Sequence, residues 1–272
     1  MSHRLPIPFY QVDAFTNQPF SGNPAAVCLL EEELSSEVML KIAAEMNLSE
    51  TAFVGKPDGN GARKLQWFTP KVEVPLCGHA TLATSHVLLQ ETGETPPLRF
   101  DTLSGILTVD EEPEGWLRMD FPSDPPEPAE APDGLLEALG CPPASPTLRA
   151  EKLWIVRLGS EKEVLSVDPD MTKLAQVDLG ETPLGVSVTA PGTRGFDFVS
   201  RFFGPWVGVD EDPVTGMAHT ALGPYWLDEL ESDALRAEQG STRRGALRVR
   251  GDGDRISVSG QAVTLVRGTL QR

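Results

Sequence analysis

Glu73-Val74-Pro75-Leu76-Cys77-Gly78-His79-Ala80-Thr81-Leu82-Ala83 returns without a gap as Glu211-Asp212-Pro213-Val214-Thr215-Gly216-Met217-Ala218-His219-Thr220-Ala221. Five of the eleven positions are identical, and the shared pattern is E-x-P-[LV]-[CT]-G-x-A-x-x-A. A Phe-x-Pro stands just upstream of each copy, as Phe68-Thr69-Pro70 and Phe203-Gly204-Pro205. Self-similarity of this kind, placed once in each half of a 272-residue chain, reads as a duplicated domain. In each copy a proline-restrained approach meets a glycine, and a helix of small residues follows. Helix N-termini leave backbone N–H groups unpaired and carry the positive end of the dipole. Gly78 and Gly216 therefore mark two sites able to hold a carboxylate, expected to face each other across an interdomain cleft. Two core helices that merely begin with glycine would look the same.

Working outward, the composition breaks at Pro122–Pro146, where Pro122, Pro125, Pro126, Pro128, Pro132, Pro142, Pro143 and Pro146 crowd together. Proline removes ladder donors, so this stretch reads as a linker with one short helix, Gly134–Leu139. The expected domains are 1–121 and 147–272, with residues 122–146 joining them and the last strand free to return to the first domain. Short β-leaning runs fill both halves: Phe9–Phe15, Ala25–Leu30, Lys64–Phe68, Ile106–Val109 and Trp116–Phe121, then Leu153–Leu158, Gly185–Thr189, Phe196–Phe203, Leu247–Arg250, Ile256–Val258 and Ala262–Val266. Asp252-Gly253 marks a tight turn. Helices are few. Glu37–Met46 has Ser35 or Ser36 as cap and Val38, Ile42 and Met46 at four-residue spacing, and His79–Gln90 is apolar or small almost all round, as an enclosed helix is.

Charge narrows the function. With 23 Lys+Arg and 40 Asp+Glu the net charge is −17, which excludes a phosphate-neutralising footprint for nucleic acid and disfavours an anionic membrane. Cys28, Cys77 and Cys141 form no CxxC pair, so neither a disulfide framework nor a zinc cluster is expected. Met1–Tyr10 has no apolar signal core, and a cytoplasmic setting is the expectation. Gly59-Asn60-Gly61 is not a dinucleotide fingerprint, and no cofactor is expected.

Candidate chemistry is confined to a few side chains. Glu50, in Asn47-Leu48-Ser49-Glu50-Thr51-Ala52-Phe53-Val54, stands at the edge of an apolar strand, where desolvation raises a carboxyl pKa toward general-base range. A solvated loop glutamate fits the same words. Asp212 precedes Pro213 inside the second repeat, either as a turn residue or as the partner of a substrate amine or hydroxyl. His79 follows Gly78 at a helix start. A metal shared by His79, His86 and His219 lacks ligand spacing such as H-E-x-x-H. Cys77 and Thr215 occupy matching positions; two cysteines there would suggest a two-base racemase, whereas one cysteine reads as a small buried residue.

Asp13-Ala14-Phe15-Thr16, Phe20-Ser21-Gly22-Asn23-Pro24-Ala25-Ala26-Val27, Asn47-Leu48-Ser49-Glu50-Thr51, Trp67-Phe68-Thr69-Pro70, Cys77-Gly78-His79-Ala80-Thr81 and Glu211-Asp212-Pro213-Val214-Thr215-Gly216 together resemble the PhzF family. The resemblance covers nearly the whole chain. It implies an α+β fold of two similar β-barrel-like domains, each around a central helix, as in the duplicated diaminopimelate epimerase-like architecture. It implies Glu50 as acid/base, His79 and Asp212 as polar partners, Gly78 and Gly216 as amides for a substrate carboxylate, and a cofactor-free isomerase acting on a small anionic metabolite. A homodimer is implied as well. An amino-acid racemase or epimerase on the same fold, and a non-catalytic metabolite-binding or interaction protein, are the alternatives. Two positions depart from the family pattern. Met217 stands where a serine is usual, so the substrate is expected to be less polar there, and Arg244 replaces a glycine in Gln239-Gly240-Ser241-Thr242-Arg243-Arg244-Gly245.

Overall fold

The computed structural model describes residues 6–271, so residues 1–5 of the N-terminal stretch read above lie outside the described residues. The chain divides into two compact units. One runs to Asp120 and takes the chain back from Ser259; the other is Phe121–Val258.

In the first unit, β1 (Ile7–Ala14) pairs antiparallel with β2 (Asn23–Leu29). The chain then crosses through α1 (Ser36–Met46) to β3 (Glu50–Pro57), which lies parallel to β2. β4 (Ala62–Phe68) returns antiparallel to β3, and the two-residue β5 (Glu73–Val74) pairs with its end. After α2 (Gly78–Glu91) come β6 (Leu98–Thr102), parallel to β4, then β7 (Gly105–Glu112) and β8 (Trp116–Pro122). The helix α2 is buried on all sides, from His79 through Ser85 and again at Val87 and Leu88. It packs against β1, β2 and β3 and against the returning final strand Ala262–Leu270. A helix with no polar face must be enclosed in this way. α1 buries Met39 and Ala43, so its apolar stripe is centred one residue beyond the Val38–Ile42–Met46 row, which forms its half-buried margin.

The second unit repeats that order. β9 (Glu127–Pro128), α3 (Leu135–Leu139) and β10 (Thr147–Arg149) lead into β11 (Leu153–Arg157). Two short helices, α4 (Glu161–Ser166) and α5 (Met171–Leu174), replace the single α1, and β12 (Gly185–Pro191) lies parallel to β11. β13 (Phe198–Gly204) is antiparallel to β12, and β14 (Val209–Asp212) pairs with β13. After α6 (His219–Glu229) come β15 (Ala234–Gln239), parallel to β13, then β16 (Gly245–Asp252) and β17 (Arg255–Gly260). Gly253, at φ +61°, lies in the two-residue connection between β16 and β17. β18 (Ala262–Leu270) closes the chain by pairing antiparallel with β1.

The proline-rich stretch is not a free linker. Residues 122–146 belong to the second unit: Pro128 pairs with Leu148, and Leu135, Ala138, Leu139 and Cys141 sit in its main apolar core with Trp154, Val186 and Phe203. The prolines forbid a long strand but allow a two-residue edge pairing and a five-residue helix, and the leucines between them supply core contacts.

Candidate functional site

Glu50 owes its position to the end of α1. Asn47 takes the left-handed conformation at φ 50°, its N–H bonds to Ala43 O, and the helix stops. Three residues later Glu50 opens β3 opposite Ala25 of β2. Ser49 is tied down beside it, with Oγ 3.4 Å from the Oδ1 of buried Asn23, 3.5 Å from Pro24 O and 3.3 Å from His79 Nε2. His79 and Cys77 arrive from the other direction on the first turn of α2, where Cys77 is the N-cap residue. Thr81 locks that turn by bonding Cys77 O through both its hydroxyl (2.6 Å) and its N–H (3.1 Å).

The result is a compact cluster of titratable groups. Glu50 Oε2 lies 3.2 Å from His79 Nε2, with the two side chains 15% and 6% exposed. Cys77 Sγ lies 3.5 Å from His79 Nδ1 and 4.0 Å from Nε2. Burial pushes the Glu50 carboxyl up to about 7, against hydrogen bonds from Ser49 and Cys77 that favour its charged form. A carboxyl poised near neutrality can both take and return a proton, which a solvated glutamate near pH 4 does poorly. Cys77 is buried, as a small core residue would be, but its contacts with Glu50 and His79 make it part of the site. Cys28 and Cys141 are different: burial alone pushes their thiols up to about 12 and about 11.

The second unit holds Asp212, Gly216 and Met217. Asp212 ends β14, and its Oδ2 accepts from Thr215 Oγ at 2.5 Å. Gln239, buried at the end of β15, completes this turn with three bonds: its Oε1 accepts from Thr215 N (3.0 Å), and its Nε2 donates to Thr215 Oγ (2.9 Å) and Asp212 O (3.1 Å). Gly216, Met217 and Ala218 form the first turn leading into α6, drawn tight by bonds of His219 N to Gly216 O and Thr220 N to Met217 O. Neither α2 nor α6 has a side-chain cap bond or an acid in its first turn, so neither dipole is offset by its own residues.

Arg244 is not a cation waiting for an anion, because its Nη1 lies 2.9 Å from Glu238 and 3.8 Å from Glu161, in a network that Arg194 also joins. The three histidines do not share a metal site: His86 reaches Thr264 Oγ at 3.1 Å, and His219 is fully buried in the other unit. Gln239 and Cys77 are the side chains whose place in these clusters the sequence reading did not find.

A sequence profile of the phenazine biosynthesis-like protein family (PhzC-PhzF) matches residues 12–268. An uncharacterized isomerase of Pseudomonas aeruginosa is 50% identical over 267 residues, covering 98% of this chain and 99% of its own. A crystal structure of a PhzF-family phenazine biosynthesis protein from Enterococcus faecalis superposes with a TM-score of 0.89 at 39% identity, over 97% of this chain and 99% of that one. A hydroxyproline epimerase from Agrobacterium vitis shares the fold at a TM-score of 0.59 and 10% identity, over 99% of this chain and 94% of its own. The fold is thus the α+β epimerase-like one, and the chain belongs to the PhzC/PhzF phenazine biosynthesis-like family.

Proposed function

We propose that this protein is a cofactor-independent isomerase that moves a proton within a small carboxylate-bearing substrate, with Glu50 as the acid/base. The observation that carries this reading is the contact of a largely buried Glu50 carboxylate with His79 and Cys77. Glu50 in its ionised form takes a proton from a carbon activated by a neighbouring π system, and the electron pair of that C–H bond moves into the π system. The protonated Glu50 then returns the same hydrogen to a second carbon, and a double bond has shifted with no oxidation or reduction. His79 orients the carboxyl and shares its proton. In the first unit the amides at the start of α2 are the proposed contacts for a substrate carboxylate; in the second, Gly216, Met217 and Asp212, held by Thr215, are the residues proposed for substrate binding. Relatives 50% and 44% identical to this chain, both described as uncharacterized isomerases, support the reading.

A racemase needs a second base, and Thr215 where a second cysteine would stand argues against it. Among the described residues, no helix is long and apolar enough to cross a membrane. Cys28, Cys77 and Cys141 form no disulfide, which suits the reducing cytoplasm we propose as its setting. A homodimer completes the proposal; light scattering that finds a monomer at micromolar protein rejects it. The reaction is tested by a thermal-shift screen of small unsaturated carboxylates followed by NMR of each hit in D2O. Exchange or migration of a substrate hydrogen that depends on Glu50 is expected; tight binding without turnover would identify a binding protein instead.

A further inference from the structure

Glu50, Cys77 and His79 offer one carboxylate oxygen, one sulfur and one imidazole nitrogen, all within 4.8 Å of one another. Among the described residues no other group of His, Cys, Asp and Glu comes so close together. The donors stand on rigid elements: Glu50 on a strand paired with β2, and the other two on the first turn of an enclosed helix. A tetrahedral zinc ion, with bonds of about 2.0–2.1 Å to nitrogen and oxygen and about 2.3 Å to sulfur, spaces its ligand atoms about 3.3–3.6 Å apart. Here the carboxylate–imidazole edge is 3.2 Å and the sulfur lies 3.5 and 4.0 Å from the two ring nitrogens, close to that spacing. Sulfur with imidazole selects a borderline-soft ion such as Zn²⁺ or Co²⁺ over Mg²⁺ or Ca²⁺, which require oxygen ligands. Thiolate and carboxylate together neutralise a divalent charge, which matters in a site this buried. Three protein ligands leave the fourth tetrahedral position to water.

We propose that this triad binds one thiophilic divalent cation per chain, and that its occupancy switches the proposed isomerase off. Binding stands on the donor geometry; the inhibition rests on the role given to Glu50 above. On binding, Cys77 releases its thiol proton to solvent and ligates as thiolate, and Glu50 ligates as carboxylate. The electron pair that would take a substrate proton is then held by the ion, and nothing is oxidised or reduced. The sequence pattern hid this site because its ligands are 27 and 2 residues apart, unlike the helical or paired-cysteine spacings that mark zinc motifs.

The test uses the full-length chain, freed of metal by chelator dialysis and titrated with Co²⁺ as a spectroscopic substitute. One equivalent is expected to bring up a thiolate-to-cobalt charge-transfer band and tetrahedral visible bands, both removed by added Zn²⁺. Cys77→Ser should abolish the charge-transfer band, and Glu50→Gln should keep it while weakening affinity by about tenfold or more. No saturable absorption, or a charge-transfer band that survives in both Cys77→Ser and Cys77→Ala, overturns the site. In the deuterium-exchange assay, the rate should fall as Zn²⁺ fills the site and recover with chelator. Exchange that continues in zinc-saturated protein, or rises, overturns the inhibition. If exchange proves independent of Glu50, the isomerase reading falls and the cobalt spectrum still judges the site.

Discussion

Thr51 pairs with Phe68 in the first unit, and Val186 pairs with Phe203 in the second. Trp67 pairs with Val74, and Phe202 pairs with Asp212. Both registers agree with the alignment of the two Phe-x-Pro segments and the two repeats, so the strand pairing itself makes Glu50 and Gly185 counterparts. The helix starts correspond just as closely. In one unit the Thr81 hydroxyl bonds Cys77 O; in the other, His219 Nδ1, at the matching position, bonds Thr215 O at 2.9 Å. The scaffold has been kept and the chemistry has not. Where the first unit has Glu50, His79 and Cys77, the second has Gly185, Met217 and Thr215. Nor is there room for a side chain at the counterpart of Glu50: a Cβ on Gly185 would stand 2.5 Å from Phe203 O and 2.5 Å from a Phe202 ring carbon. Duplication has thus left one cluster of Glu, His and Cys and two helix starts without side-chain cap bonds. That asymmetry suits a reaction in which one group removes and returns the hydrogen.

The largest expected effect falls on Glu50. Glu50→Gln keeps the shape and removes the proposed base, and should slow substrate C–H exchange by about a hundredfold to ten-thousandfold. Asp212→Asn should lose less. Equal losses in the two variants, read by the same NMR assay, would break the claim that only the first unit holds the base. Next is Gly185→Ala, which forces a Cβ against a backbone oxygen and should cost about 3 kcal/mol in a denaturant melt. A neutral result would show that the second unit could have carried a side chain there.

The duplication was legible because the repeat holds its glycine, prolines and alanines at fixed offsets, and these set the helix starts in both units. The enclosed helix was legible from the absence of any polar face on His79–Gln90. Other strands were hidden by composition. β15 reads Ala-Leu-Arg-Ala-Glu-Gln, poor in β-formers, although Leu235, Ala237 and Gln239 alternate inward as in any half-buried strand. The contact of Cys77 with Glu50 was hidden for a different reason: it exists only because a parallel strand pair and a helix start, 27 residues apart, meet in space. Glu50 as a word in the sequence left burial open; Asn47 and β3 decide it.

His219 sharpens the comparison through pH. It is fully buried, and desolvation pushes its imidazole down to about 4 from 6.5, with Nε2 left unpartnered while Nδ1 donates to Thr215 O. Between pH 4 and 6.5 the unfolded chain therefore binds more protons at this position than the folded one, and stability falls as pH drops through that window. The full loss is about 3 kcal/mol. His219→Thr gives the second unit the hydrogen bond that Thr81 makes in the first, and should flatten this part of the acid limb. Urea melts at pH 4.5 and 7 read the difference, and an unchanged slope in the variant would assign it to other groups.

The smallest effect separates how the two units brace the turn before the helix. In the second, Gln239 is buried and spends its whole carboxamide on Thr215 and Asp212. In the first, Ser104 reaches across from the loop after β6 to bond Pro75 O at 2.8 Å, in an exposed setting. A buried N–H that loses its acceptor costs about 1–3 kcal/mol, whereas an exposed hydroxyl is replaced by water at little loss. Gln239→Leu should therefore destabilise by about 1–2 kcal/mol, because Thr215 is only half-buried and water reaches part of the vacated bonding. Ser104→Ala should change stability by less than about 0.5 kcal/mol. Gln239→Leu should also loosen Asp212, since Thr215 Oγ loses the donor that holds it toward that carboxylate. Faster amide hydrogen exchange at residues 213–217, without change at residues 75–79, would place the extra bracing in the unit that lacks a counterpart of Glu50, where the turn is held by Gln239 instead of by a cluster of titratable side chains.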